Sequence, residues 1–221
     1  MPPQARRDIA DIGRALRERH GCHTAILYGS FATGEATASS DYDVAGFREG
    51  EGTRRIAGKW RGTYADIFIY PESMLESPGE ELLKMRGGVV LHERDGAAAR
   101  LLAMLDGMDA RAPKRLPDDE AHAIRQWAWK MLERAQREDA EGNYRRAWLL
   151  YALLEDWFLL RGLRYPGPKK GLLRLRAESP ALHSLIEAAV RPGATLATLA
   201  RAVEAVAGPR DDEGVDRDLF H

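Results

Sequence analysis

A single cysteine, Cys22, stands among 221 residues. An internal disulfide and any cysteine-built metal cluster are therefore excluded, and the usage suits a reducing cytoplasm, the expected location. An excess of either charge is missing as well. Against 33 basic residues stand 34 acidic ones, a net charge of -1, which argues against a global electrostatic grip on nucleic acid and leaves only a local basic cleft. No apolar run reaches about 18 residues, so no membrane span is expected. The stretch Met1-Pro-Pro-Gln-Ala-Arg-Arg-Asp8 leads into an amphipathic charged helix and does not read as an apolar signal segment. The six histidines show no metal-ligand spacing, and neither internal repeats nor low-complexity segments occur.

What is present is enough for a core: 44% of residues are hydrophobic and 30% charged, an ordinary globular balance. Ile9, Ile12 and Leu16 recur at helical spacing over residues 4–20, with Gly21 as the stop. Thr24 to Tyr28 reads as a short strand, Tyr42 to Phe47 as a second, and Gly62 to Tyr70 as the clearest β segment, closed by Pro71. Residues 54–60 form a further strand, paired with 63–70 through a turn at Arg61-Gly62. A helix over 79–85, a strand ending at His92 and a helix from Ala97 to Met108 complete this half. Ala112-Pro-Lys-Arg-Leu-Pro117 marks the preferred boundary.

Beyond it the pattern turns helical. Residues 118–140 carry Ile124, Trp127, Met131 and Ala135 on one stripe. Residues 143–163 form a longer apolar helix that includes Trp148 and Tyr151, broken by Tyr165-Pro-Gly-Pro168. Helices at 169–178, 180–190 and 194–206 follow, and the charged tail Gly208 to His221 is expected to lack regular structure. The fold class is thus α+β: a mixed sheet flanked by helices over 1–112, then an all-helical bundle over 113–221.

The chemistry-bearing residues lie in the first half. Asp41 and Asp43, two apart in an expected strand, leave the same face with Cβ atoms roughly 6.6 Å apart. Paired metal ions in phosphoryl-transfer sites are about 3.5–4 Å apart, so carboxylates at that spacing suit two divalent ions. Asp66 interrupts an apolar strand where an acid needs a reason. Three such carboxylates without a cation repel, and one of them would have to keep a proton. Upstream, Gly29-Ser30 ends a strand in a tight turn that offers backbone N–H groups and a hydroxyl to an anion. Either motif alone is commonplace; their conjunction is not.

Gly29-Ser30, ten intervening residues, Ser40-Asp41-Tyr42-Asp43, a later strand Asp66 and the strand at Gly88-Val-Val-Leu-His92 together resemble the polymerase-β-like nucleotidyltransferase superfamily, over roughly residues 24–96. The nearest look is to the minimal and antibiotic-modifying members. Thr33 departs from the pattern, since close relatives often carry arginine there. By this resemblance Gly29 and Ser30 hold a nucleoside triphosphate, with ATP as the expected one, while Asp41, Asp43 and Asp66 bind two Mg²⁺ ions. Asp66 also helps to deprotonate a hydroxyl acceptor. The reaction implied is attack of that hydroxyl on the α-phosphorus with release of pyrophosphate. A homodimer stays open as a partner state.

The helical half looks like the substrate-binding domain of aminoglycoside- and lincosamide-modifying relatives, and a cleft between the halves is the expected place for substrate. There Glu155 and Asp156 are candidates for facing a cationic acceptor or acting as base, with Glu155 the catalytic choice. Lys169 and Lys170, after the Pro-Gly-Pro turn, are candidates for the triphosphate. Trp127 fits the core stripe, and Trp129, about 200° away on the helix, must pack elsewhere or line a pocket. Three alternatives stand beside this reading. One is nucleotidyl transfer to a protein partner, as in antitoxin-like relatives. Another is a helical ribonuclease marked by Arg176 and His183, although Pro180 between them should break their helix. The third is a silent nucleotide-binding protein.

Overall fold

The computed structural model describes residues 1–111 and 113–210. The chain divides into two compact units, Met1–Arg111 and Ala112–His221, and each is described by itself. The tail expectation over Gly208 to His221 falls, from residue 211 on, outside the described residues.

The first unit opens with α1 (Pro3–His20), which stops where expected. Gly21 takes the left-handed conformation and its N–H bonds back to Leu16, while Arg17, Arg19 and His20 meet the negative end of the helix dipole. Five strands follow: β1 (Thr24–Tyr28), β2 (Tyr42–Arg48), β3 (Arg54–Trp60), β4 (Thr63–Pro71) and β5 (Val89–His92). Their order across the sheet is β3-β4-β2-β1-β5. The β2–β4 pair is parallel and the other three pairs are antiparallel, which makes the sheet mixed. Between β1 and β2 lies the five-residue α2 (Gly29–Thr33), and α3 (Ala97–Asp109) follows β5. The segment expected as a helix over 79–85 is a 3-10 stretch, Glu80–Met85.

Strand alternation gives the sheet two apolar faces. On one, Ala25, Leu27, Tyr42, Val44, Ala65 and Ile69 pack with Ile9, Ile12 and Leu16 of α1. On the other, Ile26, Tyr28, Ala45, Phe47 and Tyr70 pack with Leu82, Met85, Leu101 and Leu105. Asp43 and Asp66 belong by register to this second face.

The second unit contains α4 (Asp118–Arg134), α5 (Ala140–Leu159), α6 (Pro168–Glu178), α7 (Pro180–Val190) and α8 (Leu196–Ala207). Three acids fill the first turn of α4, where the dipole favours them. Asp139 caps α5 by accepting from the Gly142 N–H. The core is built on Met131, Leu149, Leu153, Phe158, Leu175 and Leu199. Two expectations need correction. The long helix starts at Ala140 and ends at Leu159; its Trp148 and Tyr151 are exposed, with the Trp148 ring edge-on to Trp127 of α4 at 5.5 Å between centroids. Trp129 packs on this unit's own core, and its indole N–H donates to the Gly208 carbonyl at 3.3 Å. Among the described residues no helix is long and apolar enough to cross a membrane.

Candidate active site

The row of register partners Tyr28, Asp43 and Asp66 crosses β1, β2 and β4. Asp43 and Asp66 are direct neighbours on the parallel ladder, so their side chains leave the same face about one strand spacing, roughly 4.8 Å, apart. Asp41 differs from expectation. β2 begins at Tyr42, and Asp41 is an exposed residue just before the strand. It still lies near enough for its charge to act on Asp43. The loop leading to it is held by its own side chains: the Thr37 N–H donates to the Ser40 hydroxyl at 2.9 Å, and the Ser40 N–H to the Thr37 carbonyl at 3.1 Å.

Gly29 follows directly on Tyr28, and its φ of +69° already favours glycine. A Cβ there would overlap Asp43 Oδ2 and stand 3.1 Å from its Cγ. The carboxylate is therefore laid against bare backbone. Ser30 is half-buried, and among the described residues its hydroxyl makes no hydrogen bond. Thr33, exposed at the end of the same short helix, donates its hydroxyl to the Ser30 carbonyl at 3.4 Å.

Two cations belong to this site that the sequence reading missed. Arg55 on β3 grips Asp66 with a two-bond fork, Nε to Oδ1 at 2.7 Å and Nη2 to Oδ2 at 2.8 Å. The signal for it was available: a hairpin turning at Arg61-Gly62 pairs Ala57 with Asp66 and puts Arg55 diagonal to that acid. Lys84 places its ammonium 3.8 Å from the Phe68 ring centroid, with the Tyr28 and Tyr70 rings at 5.5 and 5.9 Å. Burial lowers its pKa while Asp66 and Asp43 work against that shift. No pattern in Glu80-Glu-Leu-Leu-Lys84 distinguishes it from a surface lysine.

The carboxylates remain under-compensated. Burial first, then Asp66 and Asp41, push the Asp43 carboxyl up to about 6, with Lys84 opposing. A bound cation would relieve this. Among the described residues, no three histidine, cysteine or carboxylate side chains converge closely enough to hold a metal ion by themselves. Magnesium, however, commonly takes one or two protein carboxylates and completes its shell with water and substrate phosphate. Asp41 and Asp43 fit that donor chemistry. Asp66 would join them against the opposing charge of Arg55.

The remaining candidates belong to the second unit. Glu155 is half-buried on α5, and Lys169 and Lys170 are exposed in the first turn of α6. Asp156 is the buried member of the acid pair, 8% exposed, and its Oδ2 has no hydrogen-bond partner. Arg176 sits on α6 and His183 on α7, with the break at Ser179-Pro180. The two do not share a helix.

No family model matches the chain, and no curated protein sequence matches it. Solved structures do. One is the nucleotidyltransferase-like protein from Exiguobacterium sibiricum 255-15, 13% identical, with 90% of this chain and 77% of that chain covered and a TM-score of 0.42. That likeness is too distant to bear on the chemistry of the site.

Proposed function

We propose that the chain is a nucleotidyltransferase, moving a nucleoside monophosphate from a triphosphate, ATP as the expected donor, to a hydroxyl acceptor. The observation that carries this reading is the carboxylate row itself: Asp43 beside Asp66 on neighbouring strands, Asp41 close by, and Asp43 resting on the bare backbone of Gly29. Such a carboxylate group needs a cation, and a glycine-opened turn with a free hydroxyl needs an anion. A metal-bound triphosphate satisfies both.

In this mechanism Ser30 donates its hydroxyl to a phosphate oxygen, and Gly29 lets the phosphate approach the backbone. Asp41 and Asp43 would hold Mg²⁺, which would supply charge neutralisation at the α-phosphate and at the leaving pyrophosphate. The acceptor oxygen forms the new bond to the α-phosphorus as the α–β bridging bond breaks, and pyrophosphate carries away that electron pair. Asp66 accepts the acceptor's proton once it is free of Arg55. Lys84 offsets the negative charge of the row from its aromatic seat. We assign acceptor binding to the helical unit, with Glu155 as the candidate for recognition of a cationic group and Lys169 and Lys170 for phosphate. The exposed ring face of Tyr144, Trp148 and Tyr151 suits that assignment.

The test incubates the full chain with each labelled triphosphate, Mg²⁺ and a panel of hydroxyl acceptors, and measures the mass of both protein and small molecules. Asp41→Asn or Asp43→Asn should cost at least about 10²-fold in transfer, with the fold intact. Wild-type turnover in either variant would remove the assigned metal site. A mass gain on protein would identify a protein acceptor. The Arg55 fork on Asp66 favours a second reading, a nucleotide-binding protein without turnover. It predicts thermal stabilisation by a triphosphate with no product in any assay.

A further inference from the structure

The helical unit holds a cleft that the reading above does not use. Arg125 of α4, Leu160 and Arg161 just past α5, and Ala205 to Arg210 at the end of α8 line an open depression of about 770 Å³, a volume in the range of small-ligand sites. Leu160, Val206 and Ala207 give it an apolar wall. Arg161 lies over the Trp157 ring at 4.8 Å, and its Nη1 donates to the Trp157 carbonyl at 3.3 Å, so its guanidinium is seated rather than loose.

Several arginines of the first unit pair with acids, Arg55 with Asp66, Arg61 with Asp8 and Asp11, Arg94 with Glu49 and Glu72, whereas among the described residues Arg19, Arg48 and Arg54, whose charges act on His20, do not. On the rim of the cleft Arg210 is likewise paired, with Glu133 at 2.6 Å. Among the described residues, no carboxylate pairs with Arg125 or Arg161. The two cations feel each other, for after burial it is Arg125 that lowers the Arg161 pKa. The C-terminal carbonyls of α8 bring partial negative charge to the same wall, yet neither guanidinium donates to them.

We propose that this cleft binds a small phosphoryl-bearing molecule, with Arg125 and Arg161 on the phosphoryl oxygens and the apolar wall against the remainder. Guanidinium forks match phosphate geometry, and a doubly charged group with several free oxygens can engage two forks where one carboxylate fills only one. The site belongs wholly to the second unit and is independent of the carboxylate row.

The experiment uses the full chain and inorganic phosphate as probe, at ionic strength held constant with chloride. Calorimetric titration should show saturable binding, and the Trp157 and Trp129 indole resonances should move while Trp60 stays. Arg125→Gln and Arg161→Gln should each weaken binding about tenfold or more, the scale of a lost charge-assisted contact, with the helical circular dichroism in chloride unchanged. Arg174→Gln, which removes a surface partner of Glu178, is the control and should leave binding as it is. The proposal is overturned if the parent shows no saturation, if the double glutamine variant binds as tightly as the parent, or if phosphate moves Trp60 and leaves Trp157 in place.

Discussion

Gly29 and Asp43 occupy each other's space: a methyl group on the glycine would overlap the aspartate's Oδ2. The contact joins the two halves of the site, the turn after β1 and the first carboxylate of β2, through a single missing side chain. Gly29→Ala therefore meets two penalties, the positive φ and the collision. It should destabilise the first unit by about 1–3 kcal/mol. It should also displace Asp43, so that Mg²⁺ no longer raises the melting temperature in the presence of a triphosphate. Urea unfolding with and without the metal checks both halves, and an alanine variant with parental stability and metal response would show that Asp43 has another place to go.

Arg55 and a metal ion would compete for Asp66. Both carboxylate oxygens already accept from the guanidinium, so a cation bound there would share them with a positive charge or displace it. The pair lies largely at the surface on the arginine side, so Arg55→Ala should leave thermal stability nearly unchanged. Removing one positive charge should instead tighten Mn²⁺ binding to the nucleotide-free protein, roughly three- to tenfold for a charge at this distance near a surface. Electron paramagnetic resonance titration measures it. An affinity that is unchanged or weaker would show that Asp66 is not a ligand.

Much of this site was legible in the chain. The alternation of β2 and β4, the hairpin turn at Arg61-Gly62 and the interruption of an apolar run by Asp66 all follow from period-two patterning and turn chemistry. The element order followed from the same signals. What escaped was set by tertiary placement. Asp41 ends up outside β2 because the strand starts where Tyr42 finds its buried partner on α1. Lys84 is defined by three rings from distant strands, which no local spacing reveals. The choice between Glu155 and Asp156 was likewise a matter of helix rotation: neighbours differ by 100°, and only packing decides which is buried.

Asp156 ties the stability of the helical unit to pH. Burial first, then Glu155, push its carboxyl up to about 7, against an ordinary value near 3.9 when unfolded. The folded state thus binds this proton more tightly than the unfolded one. The sign follows: the contribution is full below about pH 4, is lost as pH rises through 7, and changes no further above that. Asp156→Asn removes the ionisation, and at pH 8 it should be more stable than the parent by about 1–4 kcal/mol, at about 1.4 kcal/mol per pKa unit. At pH 4 the two should be close. Four of the five tryptophans, 127, 129, 148 and 157, lie in this unit, so their fluorescence in urea reports it. Parallel pH profiles for parent and variant would mean that the Asp156 carboxylate finds solvent or a cation when it ionises.

Asp8 should prove the opposite kind of buried acid, one that the fold needs charged. It is 2% exposed, and it accepts from Gln4 Nε2 at 2.9 Å, Arg61 Nη1 at 2.9 Å and the Tyr42 hydroxyl at 3.1 Å. Burial works to raise its pKa, but Arg61, Gln4 and Tyr42 together outweigh it and hold the value below the usual range. Stability from this group is therefore present at neutral pH and lost as pH falls through the depressed value. The network also fixes the start of β2, because Tyr42 is flanked by the two aspartates of the site. Asp8→Ala leaves the Tyr42 hydroxyl without its acceptor and should cost the first unit about 2–4 kcal/mol. Tyr42→Phe should cost about 1 kcal/mol, the net worth of one hydrogen bond. In the double variant the Tyr42 change should add almost nothing, since its acceptor is already gone. Strictly additive losses would show that Asp8 and Tyr42 act separately, and that the placement of Asp41 and Asp43 does not depend on α1.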